Sequence, residues 1–245
     1  MLDVHPPHSA THTWKDFFIH IATIVVGLLI AVGLEQAVEA IHHRHQREEL
    51  IAAFRGECES NIKLADLNIP QIRSNRVWEQ RWLDVLRKSA LDPHVATITL
   101  PARPATNLGS SIGHSVWTIA KSNGTAALIP ETLAEVYDRT DHEIDEFYIS
   151  GDNYGTALRR LGNLARADGF AFNSRVPGPA ISVELSPQQR LELIAALSDL
   201  IGHDNDLIHW NAILRAASQA VVDNVGSRAA MRPYFNRAQA EDAVE

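Results

Sequence analysis

Histidines and carboxylates at helical spacing are the residues of this sequence most suited to chemistry. Glu39 and His42 have the Glu-x-x-His offset of carboxylate metal sites in helical bundles, and His45 follows one turn later. Such a site also requires a second pair and bridging carboxylates inside a core, whereas this turn directly follows a long apolar run. We therefore interpret it as a polar turn at a membrane surface.

Two further groups combine imidazoles with carboxylates, as metal binding or acid–base catalysis would require. One is Asp138, Asp141, His142, Glu143, Asp145 and Glu146, and the other is His203, Asp204, Asp206 and His209. Charge runs on helices are usually solvated, and the sequence has no phosphate-binding glycine loop, nucleophile elbow or HExxH zinc helix. We therefore assign no catalytic, cofactor-binding or metal-binding residue. A metal-dependent enzyme remains a second alternative, which would gain support if His142, His203 and His209 met in one cleft with carboxylates nearby and would fail if they pointed separately to solvent.

The N-terminal region contains an apolar run from Phe17 to Leu34 with no formal charge and with only His20 and Thr23 as polar side chains. At about 1.5 Å per residue, a helix of this length reaches about 27 Å, close to the roughly 30 Å of bilayer hydrocarbon. Trp14 and Lys15 suit one membrane interface, and His20 lies near that boundary, where water can solvate it. The sequence therefore predicts a transmembrane helix, with the lipid bilayer as its partner.

Two other interpretations of this run are open. Val38-Glu39-Ala40 is an acceptable signal-peptidase site, but the first residues lack the basic start of a secretory signal. A buried core helix would rarely extend so far without a charged residue. The membrane orientation is undetermined, because the numbers of basic residues near the two helix ends differ by only one. Lys15 precedes the run, and Arg44 and Arg47 follow it.

Small residues recur along the predicted transmembrane helix. Thr23, Gly27 and Ala31 have four-residue spacing, and Gly33 with Ala37 repeats the offset on another face. Small residues at this spacing let two helices approach closely in lipid. The first set therefore predicts a packing face for a homo-oligomer.

Composition excludes some classes of partner and of site. The net charge of −8 argues against a nucleic-acid partner. Cys58 is the single cysteine, which excludes an intrachain disulfide and a cysteine-rich zinc site.

Hydrophobic periodicity predicts a mainly α protein, in which the transmembrane helix continues into an α-helical bundle. We expect the first helix to stop or kink near Pro70, and a second helix to end before Asp92-Pro93. The predicted organisation is a flexible tail 1–13, an anchor 14–40, an extended helical region 41–91, a loop 92–111, a helical domain 112–228 and a C-terminal tail 229–245.

Within the helical domain, we expect helices from Ile112 and from Pro130, with an interruption at Ser150-Gly151 and a stop at Asp168-Gly169. Ser186-Pro187 predicts the start of a long helix that Gly202 could divide. The alternating runs 95–100 and 181–185 predict a small two-stranded ribbon.

Two stretches resemble an uncharacterised group of bacterial single-pass membrane proteins. One contains Gly27-Leu-Leu-Ile-Ala31 and the trailing His42-His-Arg-His45, and the other contains Val116-Trp117 through Gly124 and then Leu133-Ala-Glu-Val-Tyr137. The resemblance implies a bacterial inner membrane location and structural roles for Trp117 and Gly124, and it carries no catalytic residues. We expect a membrane-anchored binding or scaffolding protein with an unknown protein partner; the first alternative is a membrane-tethered ligand sensor.

Overall fold

The computed structural model describes residues 14–92, 94–95, 97–105, 111–172 and 176–243, with the side chains of 242 and 243 left out. It is mainly helical, as the sequence predicts, and contains a small antiparallel ribbon. The helices are α1 (Trp14–Ala90), α2 (Val116–Asn123), α3 (Glu131–Ala167), α4 (Pro187–Val222) and α5 (Arg232–Ala243), and the strands are β1 (Thr97–Leu100) and β2 (Ile181–Glu184). Two 3-10 turns, Thr125–Leu128 and Arg228–Met231, precede α3 and α5. The predicted flexible tail 1–13 lies outside the described residues.

The chain divides into two compact units between Glu49 and Leu50. The described part of the first unit is helical, none of its residues is buried, and it contains the whole predicted anchor 14–40. The second unit has an apolar core formed mainly by α1 after residue 49, α3 and α4. The buried residues of α1 in this unit recur every three or four positions, from Leu50 and Phe54 to Leu86 and Ser89, as expected of a helix with one face on a core.

Of the predicted stop or kink near Pro70, the stop is wrong, because α1 continues as one helix to Ala90. Proline removes one backbone hydrogen bond from a helix. Pro70 is exposed, so water can solvate the carbonyl that is left without a partner. Asn68 and Ile72 on either side are buried in the same core face. Packing of this face therefore outweighs the local preference of proline.

The predicted interruption at Ser150-Gly151 is also wrong, and α3 runs through it. A glycine within a helix costs roughly 0.5 to 1 kcal/mol, much less than burial of a large aromatic residue contributes. Phe147 and Tyr154 are buried one turn before and one turn after Ser150, which keeps a single face on the core. Gly202 likewise lies within α4 without ending it.

The helix predicted from Ile112 begins later, at Val116. Asn61 of α1 explains the delay, because its amide donates to the carbonyl of Gly113 (2.9 Å) and its oxygen accepts from the N–H of Gly113 (2.7 Å). These bonds hold the backbone in an extended loop. Gly124 ends α2 with φ of 83°, in the left-handed region that glycine adopts without strain.

The predicted ribbon is present, with Thr97 paired to Glu184 and Leu100 paired to Ile181. A two-stranded sheet is marginal alone, and here Ile98, Leu100 and Val183 are buried in the core. Arg190 of α4 is 2% exposed, and its guanidinium donates to backbone carbonyls on three segments, those of Ser89 (2.9 Å), Leu185 (3.0 Å) and Val95. The ribbon therefore depends on packing and on one buried cation.

The start of the long fourth helix follows from local chemistry. Ser186 and Gln189 form a reciprocal capping box with Pro187 at the first turn, as the sequence predicts.

After α4, the segment 229–245 is not the predicted tail, because α5 covers most of it. Met231 and Ala238 are buried and Phe235 is partly buried, a spacing of four and three residues that places one face of α5 on α4.

Candidate functional site

The loop before α2 is held rigidly against α1 and α3. Besides the two Asn61 bonds, the Glu57 carboxylate accepts hydrogen bonds from the backbone N–H of Ser115 (3.0 Å) and of Val116 (3.2 Å). The Tyr148 hydroxyl of α3 donates to the carbonyl of Ile112 (2.5 Å). A Cβ at Gly113 would lie 2.8 Å from Cγ of Glu57, so the close approach requires glycine. The position of His114 is therefore fixed by both neighbouring helices.

His114 faces two aspartates of α3. Its Nε2 lies 3.1 Å from Oδ1 of Asp141 and 3.5 Å from Oδ1 of Asp145, and the two aspartates are one helical turn apart. Nζ of Lys121 in α2 contacts the other oxygen of Asp141 at 2.5 Å. The Asp141 side chain is 8% exposed, whereas that of Asp145 is 58% exposed. We call His114, Asp141 and Asp145 the His114 cluster; it lies at the surface with one buried and one open side.

Of the two sequence groups, the first therefore contributes only part of a cluster. Asp141 and Asp145 come together with His114, a loop residue that the sequence pattern did not single out. Asp138 instead accepts a hydrogen bond from Nε1 of Trp117 (2.8 Å) and thereby fixes α2 on α3. His142 is exposed. Trp117 itself is 2% exposed and packs in the core of the second unit.

Glu143 from the same group is fully buried and ion-paired with Arg139, one turn earlier in α3. Burial raises the pKa of its carboxyl, and Arg139 opposes that shift. The Arg139 guanidinium also lies 5.3 Å from the ring centre of Phe235 in α5. This pair therefore serves the interior of the unit, since neither member joins the His114 cluster.

The second sequence group does not form one site. The His203 ring contacts Asp199 (3.8 Å) and Asp206 (3.5 Å), whereas His209 lies against the Trp210 ring. His142 and His209 both oppose the rise in the pKa of Glu143, whereas His203 contacts Asp199 and Asp206. Asp204, from the same group, is instead fully buried.

Asp204 forms a buried carboxyl pair with Glu79 of α1, and both are fully enclosed. Burial is the main cause that raises both pKa values, and a hydrogen bond between the two carboxyls further raises that of Glu79. The Tyr154 hydroxyl lies 3.5 Å from Oε1 of Glu79, and the charges of Arg76 and His203 favour the ionised form of Asp204. Both shifts favour the protonated carboxyls, so the pair retains a proton to higher pH than two solvated carboxyls would.

Buried amides continue this polar seam between α1 and α4. Asn68 donates to Oδ1 of Asn211 (3.3 Å), and Asn211 donates in turn to the Leu207 carbonyl (2.8 Å). Toward the other end, Arg76 donates to Oδ1 of Asn205 (2.8 Å). The seam therefore fixes the antiparallel register of α1 and α4.

A surface groove of about 350 Å³ lies between α1, α4 and α5. Its apolar lining comes from Ile69, Ile208, Ala212, Ala216 and Ala238. Its charged lining consists of Arg73, Arg215, Arg237, Asp66 and Glu241. Nε of Arg215 donates to Oδ1 of Asp66 (2.6 Å), so this pair closes one part of the rim. The groove combines an apolar floor with an excess of one guanidinium, which suits a small ligand with an apolar body and an anionic group.

The turn after the predicted anchor does not gather metal ligands. Glu39 contacts His43 at 3.9 Å, His45 contacts Glu49 at 3.0 Å, and Arg44 contacts Glu48 at 2.8 Å. These are exposed pairs at i and i+4, which contribute little to stability. Among the described residues, the His114 cluster is the group whose donor atoms approach as metal ligands do.

Comparison of the chain with protein-family models, with curated proteins and with solved structures gave no match.

The buried carboxyl pair predicts a stability that falls as the pH rises. In the folded chain, the pair keeps a proton at pH values above 4.5, the ordinary pKa of a glutamic acid, where the unfolded chain has released it. The free energy of unfolding is therefore highest in acid as far as this pair is concerned, and it decreases with increasing pH. Glu79→Gln keeps a donor to Asp204 without a titrating proton, so we expect it to raise the melting temperature by several degrees at about pH 9 and to flatten its decline from about pH 6.

The measurement is thermal unfolding of the full chain in detergent micelles, followed by tryptophan fluorescence. Glu59→Gln, at an exposed position on α1, is the matched control and should leave the wild-type pH curve unchanged. Parallel curves for Glu79→Gln and the wild type would show that the pair holds no proton beyond that of the unfolded chain.

Proposed function

We propose that this chain is a single-pass membrane protein that acts by binding, with residues 14–40 as its anchor. The observation that carries the proposal is the exposure of the apolar run. Within the described residues, α1 is the helix that is long and apolar enough to cross a membrane, and its most apolar window has a mean hydropathy of 2.6 with no residue buried. A core helix of equal hydropathy would be covered by protein, so this exposure favours lipid as the solvent of the run.

The polar groups of the run also suit a lipid environment. The backbone is helical throughout, which pairs its N–H and C=O groups within the segment. Oγ1 of Thr23 donates to the Ile19 carbonyl (2.8 Å), and Nδ1 of His20 lies 3.0 Å from the Asp16 carbonyl. The two polar side chains between Phe17 and Leu34 therefore have hydrogen-bond partners on their own helix, which lowers the cost of inserting them. A bacterial inner membrane is the location that the sequence resemblance implies.

Membrane fractionation tests the anchor. An alkaline carbonate wash should leave the chain in the membrane pellet, because about 27 Å of apolar helix cannot be extracted by removal of charge contacts. The intact mass of the pelleted protein should include residues 14–40. Release into the supernatant, or a mature chain that begins after Ala40, would contradict the anchor; the second outcome would identify a cleaved signal.

We further propose that the anchor self-associates through Thr23, Gly27 and Ala31. All three residues are exposed, and they share one face of the helix. An added Cβ at Gly27 meets no atom within 4 Å, so a larger side chain there has no clash within its own chain. Any loss of association on enlarging residue 27 would therefore come from the contact between two copies.

Gly27→Ile should weaken self-association at least several-fold, because the branched side chain prevents close approach of two backbones. The measurement is a membrane two-hybrid assay, supported by energy transfer between labelled chains in lipid vesicles. Leu29→Ile, on the opposite face of the same helix, is the matched control and should associate like the wild type. An equal signal from the wild type and Gly27→Ile would remove this packing face.

A ligand sensor is a second candidate function, and the groove between α1, α4 and α5 is the observation that favours it. Its apolar floor and its guanidinium groups suit a short anionic amphiphile. Arg237 on α5 is the most informative position, because it lines the groove from a short helix whose residues Phe235 and Ala238 provide the packing. Its substitution should leave the core intact.

Hexanoate and its neutral analogue hexanol serve as matched probes in saturation-transfer NMR on the full chain in nanodiscs. We expect hexanoate to receive saturation from the protein and hexanol to receive much less, because only the anion pairs with a guanidinium. Arg237→Gln should reduce the hexanoate signal several-fold, and Ala212→Trp should abolish it by filling the groove. Arg232→Gln, outside the groove on the same helix, is the control. Equal signals from both probes, unaffected by these variants, would indicate lipid partition alone.

A further inference from the structure

We propose that the His114 cluster is a binding site for a divalent transition metal of the zinc class. The site comprises Nε2 of His114, Oδ1 of Asp141 and an oxygen of Asp145. The three donor atoms lie within 4.8 Å of one another. One imidazole and two carboxylates form a donor set that suits zinc and its neighbours in the first transition row, whereas magnesium prefers oxygen ligands alone.

The spacing of the donors fits a common metal ion. With ligand distances of about 2.0 to 2.2 Å, two donors on one ion lie no more than about 4.4 Å apart. The Nε2 atom already lies 3.1 Å from Asp141 and 3.5 Å from Asp145, and the two carboxylate oxygens lie within 4.8 Å of each other, so this last separation needs to close by at most a few tenths of an ångström. The exposed Asp145 side chain can make this adjustment through a small change of rotamer.

The surroundings of the cluster orient its two less exposed ligands. Lys121 contacts Oδ2 of Asp141, which leaves Oδ1 directed at the imidazole. On the other side, the ring of Tyr148 lies 5.9 Å from that of His114, and its hydroxyl is bonded to the same loop. Outer partners that hold a carboxylate and an imidazole in place are typical of metal sites. They order the ligands in advance and so reduce the entropic cost of binding the metal.

Charge also favours a cation at this position. Two aspartates face a single Lys121, so the site has an excess negative charge when the imidazole is neutral, the form that binds metal. Asp145 is more than half exposed, and the remaining coordination positions are therefore open to water. A three-ligand site with open positions is the arrangement in which a metal ion can bind a further small molecule.

The competing arrangement is a purely ionic one, in which a protonated His114 bridges the two aspartates. It would give the same distances without any affinity for metal. Direct titration separates the two arrangements, because only the metal site takes up one equivalent of ion and releases protons in doing so.

The experiment is calorimetric titration of ZnCl₂ into the full chain in detergent, after removal of metal with a chelator, with Co²⁺ absorption spectra as a second readout. We expect one equivalent of zinc to bind to the wild type, and a d–d band from Co²⁺ in the same site. Asp145→Asn should weaken zinc binding at least ten-fold, and His114→Gln should remove the Co²⁺ band. An excess of Mg²⁺ should not compete.

The matched controls are Asp152→Asn and His142→Gln, which change exposed residues of α3 outside the cluster and should bind zinc like the wild type. A binding isotherm that is insensitive to Asp145→Asn and His114→Gln, or absent from the wild type, overturns the proposal. Loss of binding only on substitution of His42, His43 and His45 would place the metal at the turn after the anchor and also overturn it. Thermal unfolding of each variant shows whether the fold is intact.

Discussion

Within the part of the chain that the structure describes, no protein surface covers the apolar side chains between Phe17 and Leu34, and this exposure is the main constraint on the chain. Water is a poor solvent for such a surface, and the paired backbone of a helix is the one form in which a single segment can leave it. After Glu49, the apolar side chains of α1 are removed from water in another way, because one face of the helix is buried against α3 and α4. One continuous helix thus has an exposed apolar N-terminal part, which could span a membrane, and a remainder with one face buried in a protein core.

The core of the second unit contains buried polar residues along α1. The inward positions of α1 at every seventh residue are Phe54, Asn61, Asn68, Asn75 and Trp82, so three successive layers contain an amide. Each amide must find a partner, since an unpaired buried polar group costs about 1 to 3 kcal/mol, roughly twice the net contribution of a hydrogen bond. Asn61 pairs with the loop before α2 and Asn68 pairs with α4. Polar layers of this kind select one alignment of helices among several with similar apolar burial.

The sequence could predict elements whose cause is local. The capping box at Ser186, the left-handed end of α2 at Gly124 and the alternating ribbon strands all follow from a few adjacent residues. Predictions failed where tertiary packing outweighs a local breaker, as at Pro70 and Gly151, and at α5, whose short apolar face is weak without its partner α4. His114 could not be found from helical spacing, because it lies on a loop far along the chain from Asp141. Gly113 next to His114 is the only local feature of the sequence at this site. The reason for a glycine there is the close approach of Glu57, which the sequence alone does not show.

The antiparallel contacts between α1 and α4 have a consequence for how this chain can change length. Asp66 pairs with Arg215, Asn68 with Asn211, and Glu79 with Asp204, in antiparallel order along the two helices. Gaining a whole heptad between Asn61 and Glu79 would keep the apolar stripe facing inward yet move the Glu79 carboxyl from Asp204 to the layer of Leu197, so evolutionary insertions there meet an electrostatic barrier. The part of α1 before Leu50 has no buried layer to misalign. Divergence in helix length should therefore accumulate ahead of Leu50, where no core contact fixes the register.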